Sequence, residues 1–315
     1  MNKTALIIGV NGQDGSYLAE HLLSHGYVVH GTVRRSSTSN LGRIQHLLDS
    51  VQLHYGDLTD SAGLVRLVKD IQPHEVYNLG AMSDVRASFD IPHYAGASTG
   101  LGALNVLEAV RLACPQARYY QAGSSEMFGT NPDVPTNEQS RFEPASPYAA
   151  AKVYAHHITE NYREAYDLFA VNGILFNHES ERRGVEFVTR KITRGVADIV
   201  AGKASKITLG NLKAKRDWGY APDYVVAMHL MMQADEPSTF VVATGETHSV
   251  EEFLERSFDL VGLDWRKYVD TDADLMRPTE VPLLLGDASK AKRVLGWEPT
   301  VRFDELVEIM IKSDA

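Results

Sequence analysis

A single cysteine, Cys114, occurs in 315 residues. No internal disulfide can form, and no second thiol is at hand for metal or redox chemistry, so packing is its expected use. Long hydrophobic runs are also missing. The opening MNKTALIIGV holds one short apolar run, followed at once by glycines and Asp14. Neither a signal peptide nor a membrane span is expected there, and the cytoplasm is the expected compartment. Positive charge is in deficit: 31 Lys and Arg stand against 41 Asp and Glu, a formal net charge of −10. Nucleic acid and anionic membranes are therefore not expected partners, although local arginines can still gather a small anion. Repeats, low-complexity tracts and long charge blocks are absent too. What is there, 44% hydrophobic and 23% charged, suits an ordinary globular chain: one large domain, or a main domain with a smaller partner.

Short apolar or β-branched runs alternate with longer helical stretches: ALIIGV (5–10), VVHGTV (28–33), VQLHY (51–55), EVYNLG (75–80), ARYYQAG (117–123) and LFAVNGILF (168–176). Such alternation implies right-handed βαβ crossovers and a doubly wound parallel sheet, and the unbroken apolar runs suit strands buried on both faces. The expected fold class is α/β, with residues 1–176 as a Rossmann-type domain. Beyond residue 177 the regularity weakens. FVVATG (240–245) reads as a strand returning to the sheet, within about 238–245. SVEEFLERSFDLVG (249–262) and FDELVEIMIKS (303–313) read as helices of a smaller domain, mainly 177–315, interleaved with the first. Ligands of such sheets bind at the carboxyl ends of the strands, so chemistry is sought just after each run.

GVNGQDG places Gly9, Gly12 and Gly15 between the first strand and a helical pattern. Glycines there allow a tight turn and close approach to a pyrophosphate, and the helix start offers free N–H donors. At the end of the second strand, where a carboxylate would hold an NAD ribose, the chain reads VRRSS. Arg34 and Arg35 suit a 2′-phosphate, so NADP is the expected cofactor. Asp57 and Leu58 in GDLTD follow the third strand. Asp57 can either accept from an adenine amino group or cap the helix that follows.

SPYAAAK sets Tyr148 and Lys152 four apart, on one face if helical. An ammonium beside a phenol lowers the phenol pKa, which makes Tyr148 a candidate base. QAGSSEMFG follows the fifth strand. There Ser124 or Ser125 can hold a reacting oxygen, and Glu126 adds a carboxylate at the same rim, which suits elimination rather than simple oxidation. His156 and His157 lack metal-ligand partners at useful spacing and read as helix-face residues; no metal is expected.

With these motifs in hand, the sequence resembles the extended short-chain dehydrogenase/reductase family and, within it, the GDP-mannose 4,6-dehydratases. The stretches LFNHESERRGVEFVTRKI, GNLKAKRDWGYAPDYV, VVATGETHSVEEF and RPTEVPLLLGDASKAKRVLGW carry the closer resemblance. It implies a Ser124, Glu126, Tyr148 and Lys152 active site and GDP-mannose as substrate. Asn177 would meet the sugar or diphosphate, Val188 and Lys191 the nucleotide, Arg216 and Arg277 the diphosphate or ribose, and Glu280 the nucleotide again. Ser83 completes the candidate substrate set; Gln13, Asp14, Leu79, His178 and Arg183 complete the cofactor set. Arg182 and Arg183 match a stretch near a subunit contact, so a homo-oligomer, dimer or tetramer, is implied. Two departures stand out: Glu181 replaces a more usual proline, and NLGAMSDVRASFD, with Gly80, Asp84 and Arg86, differs from the usual loop. The rival readings are a GDP-4-keto-6-deoxymannose reductase, another nucleotide-sugar epimerase or dehydratase, and a catalytically silent NADP-binding regulator.

Overall fold

The computed structural model describes residues 2–314, and its centre is a seven-stranded, all-parallel sheet. Its first six strands are β1 (Thr4–Ile8), β2 (Val28–Val33), β3 (Val51–Tyr55), β4 (Glu75–Asn78), β5 (Arg118–Ala122) and β6 (Ala170–Leu175). Six short strands lie outside the sheet: β7 (Asn177–Glu179), β8 (Ile207–Leu209), β9 (Lys215–Arg216), β10 (Trp218–Tyr220), β12 (His248–Ser249) and β13 (Val269–Thr271). The seventh sheet strand is β11 (Thr239–Val242), which joins the sheet beside β6 and gives the order β11-β6-β5-β4-β1-β2-β3. The helices are α1 (Gln13–Ser24), α2 (Ser61–Ile71), α3 (Val85–Asp90), α4 (Pro92–Ala95), α5 (Gly102–Ala113), α6 (Pro147–Tyr166), α7 (Val188–Val200), α8 (Ala221–Gln233), α9 (Val250–Asp259), α10 (Ser289–Leu295) and α11 (Phe303–Asp314).

Alternation along each strand feeds two cores. On β1, Ala5 and Ile7 join one apolar cluster with Leu18 and Leu22 of α1 and Tyr224, Val225 and Met228 of α8. Leu6 and Ile8 join the opposite cluster with Leu64, Val68, Val106, Val110 and Tyr162 from α2, α5 and α6. Central strands covered on both sides are mostly apolar, and the polar residues they do bury are paired, as where Asn78 donates to Gln121 Oε1 at 3.0 Å. A third cluster, built by Ile192, Val196, Phe253, Phe258, Leu306 and Met310, holds α7, α9 and α11 together away from the sheet. The C-terminal half therefore divides its packing: α8 and β11 serve the sheet, whereas α7, α9 and α11 build the smaller unit.

Helix starts are specified locally. Ser146 Oγ accepts from Ala149 N at 3.0 Å and Pro147 occupies the first turn of α6. Ser249 and Glu252 form a reciprocal capping box on α9, satisfying two otherwise free N–H groups. One cap differs from expectation. Asp60, not Asp57, caps α2, accepting from Gly63 N at 3.0 Å. Asp57 instead folds back onto Thr59 N (2.9 Å) and Thr59 Oγ1 (2.7 Å). The helix starts three residues later than the GDLTD pattern suggests, so the later aspartate occupies the capping position. Among the described residues, no helix is long and apolar enough to cross a membrane.

Candidate active site

β1 lies between β2 and β4, so the chain leaves it in opposite directions on either side and a crevice opens at its carboxyl end. Gly9 turns the chain there with φ +86°, a conformation that disfavours side chains. A Cβ on Gly15 would lie 2.3 Å from Gly9 O and 2.7 Å from Val10 Cα, so only glycine lets α1 start against the turn. Gly12 is the N-cap of α1 and offers no side chain to its first turn, leaving those N–H groups facing the crevice. The cavity of about 260 Å³ that begins here is lined by Gly9, Gly12, Gln13, Asp14, Gly15 and Leu79, and runs to Ser124, Tyr148, Lys152, His178 and Arg183.

Asp14 and His178 pair at 2.8 Å across this cavity. His178 Nδ1 also faces Phe176 O at 2.7 Å, so both ring nitrogens meet acceptors and the imidazole is held in its charged form. Burial pulls its pKa down, but the Asp14 carboxylate outweighs burial and raises it overall. For Asp14, burial acts upward, and the His178 charge and hydrogen bond bring the carboxyl below its ordinary range. Gln13 stitches the same segments, donating to His178 O at 3.0 Å and accepting from Ser180 Oγ at 2.9 Å.

The second cavity, about 360 Å³, lies against the smaller unit. Its wall contains Ser83, Ser124, Glu126, Tyr148, Asn177, Val188, Lys191, Arg216, Arg277 and Glu280. Ser124, Glu126, Tyr148 and Asn177 border both cavities and mark their junction. Asn177 Oδ1 is buried there with no hydrogen-bond partner.

At the junction, Ser124 accepts from Glu126 N at 3.2 Å, which starts the short turn holding Glu126 at the rim. Arg277 Nη1 donates to Glu126 Oε1 at 3.0 Å. Arg277 is braced in turn, since its backbone N–H donates to Glu280 Oε1 at 3.0 Å. Arg216 is buried and donates to Lys215 O and Val281 O at 2.9 and 2.8 Å. Tyr148 and Lys152 share the inner face of α6, both buried. The expected lowering of the phenol pKa is not found. Burial pushes Tyr148 up to about 12, the Ser124 hydroxyl works against this, and the Glu126 charge adds to it. Lys152 donates its hydrogen bond to Ala122 O at 2.7 Å, and burial pushes its ammonium down to about 8. A phenol raised this far is protonated at neutral pH.

Other candidates lie apart. Arg34 and Arg35 line a separate surface hollow past β2, where Arg34 bonds Tyr94 Oη. Asp57, its carboxyl lowered chiefly by the Thr59 hydrogen bonds, belongs to neither central cavity. Leu58 packs where Cβ atoms on Gly80 and Gly102 would approach within 2.9 and 2.8 Å. Arg182 is satisfied within the chain by Glu20 at 2.6 Å and stacks on Tyr17. Glu181 meets Tyr220 Oη at 3.4 Å. Two residues escaped sequence reasoning. Arg43 lines the glycine-turn cavity, yet LGRIQHL ends no strand and holds no motif. Glu179 is buried, accepts from Thr189 Oγ1 at 2.6 Å and pairs with Arg183 at 3.0 Å; its one signal was its place just after the sixth apolar run.

A glycine cradle leading to a serine, tyrosine and lysine on a parallel sheet, with a smaller unit closing the far side, defines an enzyme of the extended short-chain dehydrogenase/reductase class. Solved structures of that shape include dTDP-glucose 4,6-dehydratase from Bacillus anthracis in complex with NAD (TM-score 0.86, 18% identity, covering 99% of this chain and 96% of that one). Another is UDP-glucose 4-epimerase from Thermus thermophilus with NAD (TM-score 0.87, 24% identity, 99% and 98%). At these identities they bear on the fold alone. The GDP-mannose 4,6 dehydratase family model matches residues 6–310. GDP-mannose 4,6 dehydratase 2 of Arabidopsis thaliana is 55% identical over 99% of this chain and 87% of its own. The Cricetulus griseus GDP-mannose 4,6 dehydratase is 52% identical (99% and 91%), and the Sinorhizobium fredii enzyme 48% (99% and 96%). This chain belongs to the GDP-mannose 4,6-dehydratase family and is a hydro-lyase.

Proposed function

We propose that the chain dehydrates GDP-mannose to GDP-4-keto-6-deoxymannose, with NADP held in the glycine-turn cavity and recycled in each turnover. The observation that carries this reading is the buried carboxylate of Glu126 at the junction of the two cavities, beside Ser124 and Tyr148. The cradle fits a dinucleotide: Gly9 holds a φ of +86° that disfavours other residues, Gly15 leaves no room for a Cβ, and α1 begins with uncapped donors. A nicotinamide dinucleotide held there by Gly9, Gly12, Gly15 and Lys152 would supply a reversible hydride acceptor for the sugar C4 and C6, and a positive charge that favours the Tyr148 phenolate.

Tyr148 removes the 4-hydroxyl proton, with Ser124 sharing the hydrogen bond and Lys152 supplying positive charge behind it. The resulting 4-keto group acidifies C5, where Glu126 takes the proton as the 6-hydroxyl leaves as water. The overall change is redox-neutral: one water is lost and no reducing equivalent accumulates. Arg277 is assigned to the diphosphate as well as to Glu126. One guanidinium cannot serve both fully, so an arriving diphosphate draws Arg277 away and leaves Glu126 free to act as base. Arg34 and Arg35 are assigned to the 2′-phosphate, and Asn177, Val188, Lys191, Arg216 and Glu280 to the nucleotide sugar. We assign the sheet, mainly 1–176 with its return strand, to the cofactor and 177–315 mainly to the sugar nucleotide, in a cytoplasmic homo-oligomer.

The test is incubation with GDP-mannose and catalytic NADP, followed by mass analysis. A product lighter by one water, formed without net NADPH, is expected. A product of unchanged mass would favour an epimerase, and stoichiometric NADPH consumption with the keto sugar a reductase.

A further inference from the structure

Three imidazoles meet on the outer face where α1 packs against α8, remote from the two cavities. His21 is in the last turns of α1, His25 is its C-cap, and His229 is on α8. Their ring centroids lie 4.3, 5.0 and 5.1 Å apart, and one ligating nitrogen from each lies within 4.8 Å of the other two. At 1.5 Å rise per residue, His21 is roughly 13 Å along the helix from Gly12.

The hydrogen bonds around this cluster settle which nitrogens carry lone pairs. Tyr27 Oη donates its one hydrogen to Glu75 Oε1 at 3.0 Å, because a carboxylate can only accept. Tyr27 must therefore accept from His229 Nε2, which it meets at 3.2 Å. That puts the His229 proton on Nε2 and leaves Nδ1 with a lone pair, 2.9 Å from His21 Nε2. His25 Nδ1 is committed to His21 O at 2.8 Å, which leaves its Nε2 free. Glu75 is itself fixed: it is buried and also bonded by Lys3, Tyr77 and Gln233. A carboxylate behind a ligand's far nitrogen, here relayed through Tyr27, is how proteins orient histidines toward a metal.

We propose that His21, His25 and His229 form a three-histidine site for a divalent d-block cation, zinc foremost, which clamps α1 to α8. Three neutral nitrogen donors suit zinc, copper(II) or nickel and not magnesium or calcium, which take oxygen. The cation would replace the one hydrogen now shared by His21 and His229, and His25, exposed at the helix end, would swing in as the third ligand. A fourth position is left to water. Distance from the cleft makes this a structural clamp, so turnover does not depend on it.

The test uses untagged, chelator-stripped full-length protein titrated with Zn²⁺ against a chromophoric competitor, with thermal unfolding followed in parallel. One equivalent should bind, and Zn²⁺ should raise the Tm. His25→Ala removes an exposed ligand and should fold normally, yet its Zn²⁺ affinity should fall at least tenfold and its Tm shift should vanish. Tyr27→Phe, which breaks the relay but keeps all three ligands, should weaken binding by about 10–100-fold. His157→Ala, at the separate His156–His157–Glu160 group of α6, should change nothing. No bound equivalent in the natural chain, wild-type affinity in His25→Ala, or loss on His157→Ala would each overturn the proposal.

Discussion

The two ends of the cleft are built in different ways. At the glycine-turn end the floor is backbone: a turn at Gly9, an uncapped helix start at Gly12, and a close approach at Gly15. Seven consecutive residues, 9–15, make that floor. At the sugar end the walls are side chains from separated segments, and Arg277 reaches Glu126 across 151 positions of sequence. A backbone-built site depends on what is not there, namely a Cβ. A convergent site depends on packing between distant segments: Val281 and Leu284, just after Arg277, pack with Met127 and Phe128, just after Glu126.

The largest effects are expected where the convergent end does its chemistry. Tyr148→Phe and Glu126→Gln should each lower turnover by about 10²–10⁴, the usual worth of a general base. The two should differ in what accumulates. Glu126→Gln leaves C4 oxidation intact, so reduced-nicotinamide absorbance should appear with GDP-mannose while little dehydrated product is released; Tyr148→Phe should show neither. Wild-type dehydration by Glu126→Gln would remove Glu126 as the C5 base.

Next come the charged contacts outside the central cavities. Replacing Arg34 and Arg35 by alanine should weaken NADP by about ten- to a hundredfold, taking roughly 1.5–3 kcal/mol for a charge-assisted contact. NAD binding should hardly change. Equal losses for both cofactors would show that these arginines do not read the 2′-phosphate, and would shift attention to Arg43.

A smaller effect should come from the backbone-built end. Gly15→Ala forces a methyl group against Gly9 O and Val10 Cα, and such overpacking costs about 1–3 kcal/mol. Both Tm and dinucleotide affinity should fall together, because the strained atoms are the cradle itself. Loss of one without the other would break the link between shape and binding.

The smallest effect concerns the Asp14–His178 pair within the glycine-turn cavity. His178 titrates above its ordinary 6.5 in the folded protein, so its contribution is full below that value and is lost as pH rises through the folded pKa. Asp14 is lowered from 3.8, so its contribution is present above that value and lost as pH falls through its folded pKa. The Tm deficit of His178→Gln should thus be greatest near pH 5–6 and shrink toward pH 9. A deficit that does not vary with pH would mean that the imidazole is not charged.

The amino-acid sequence by itself determined the doubly wound sheet, because short β-branched and apolar runs alternating with helical stretches require parallel strands joined by crossovers, and β2 and β3 have the bounds of their runs, 28–33 and 51–55. It likewise determined the glycine turn, where the requirement is steric and local, and the capping box at Ser249. Only the tertiary structure decided that Asp60 rather than Asp57 caps α2, since a one-turn choice depends on where β3 releases the chain. Only it placed Arg277 on Glu126, Asp14 on His178, and three histidines from two helices together. It also reversed the expected direction of the Tyr148 pKa. Spacing in sequence puts an ammonium four residues away, but burial and the Ala122 carbonyl that occupies Lys152 belong to the folded surroundings, and desolvation of the phenolate outweighs a charge engaged elsewhere.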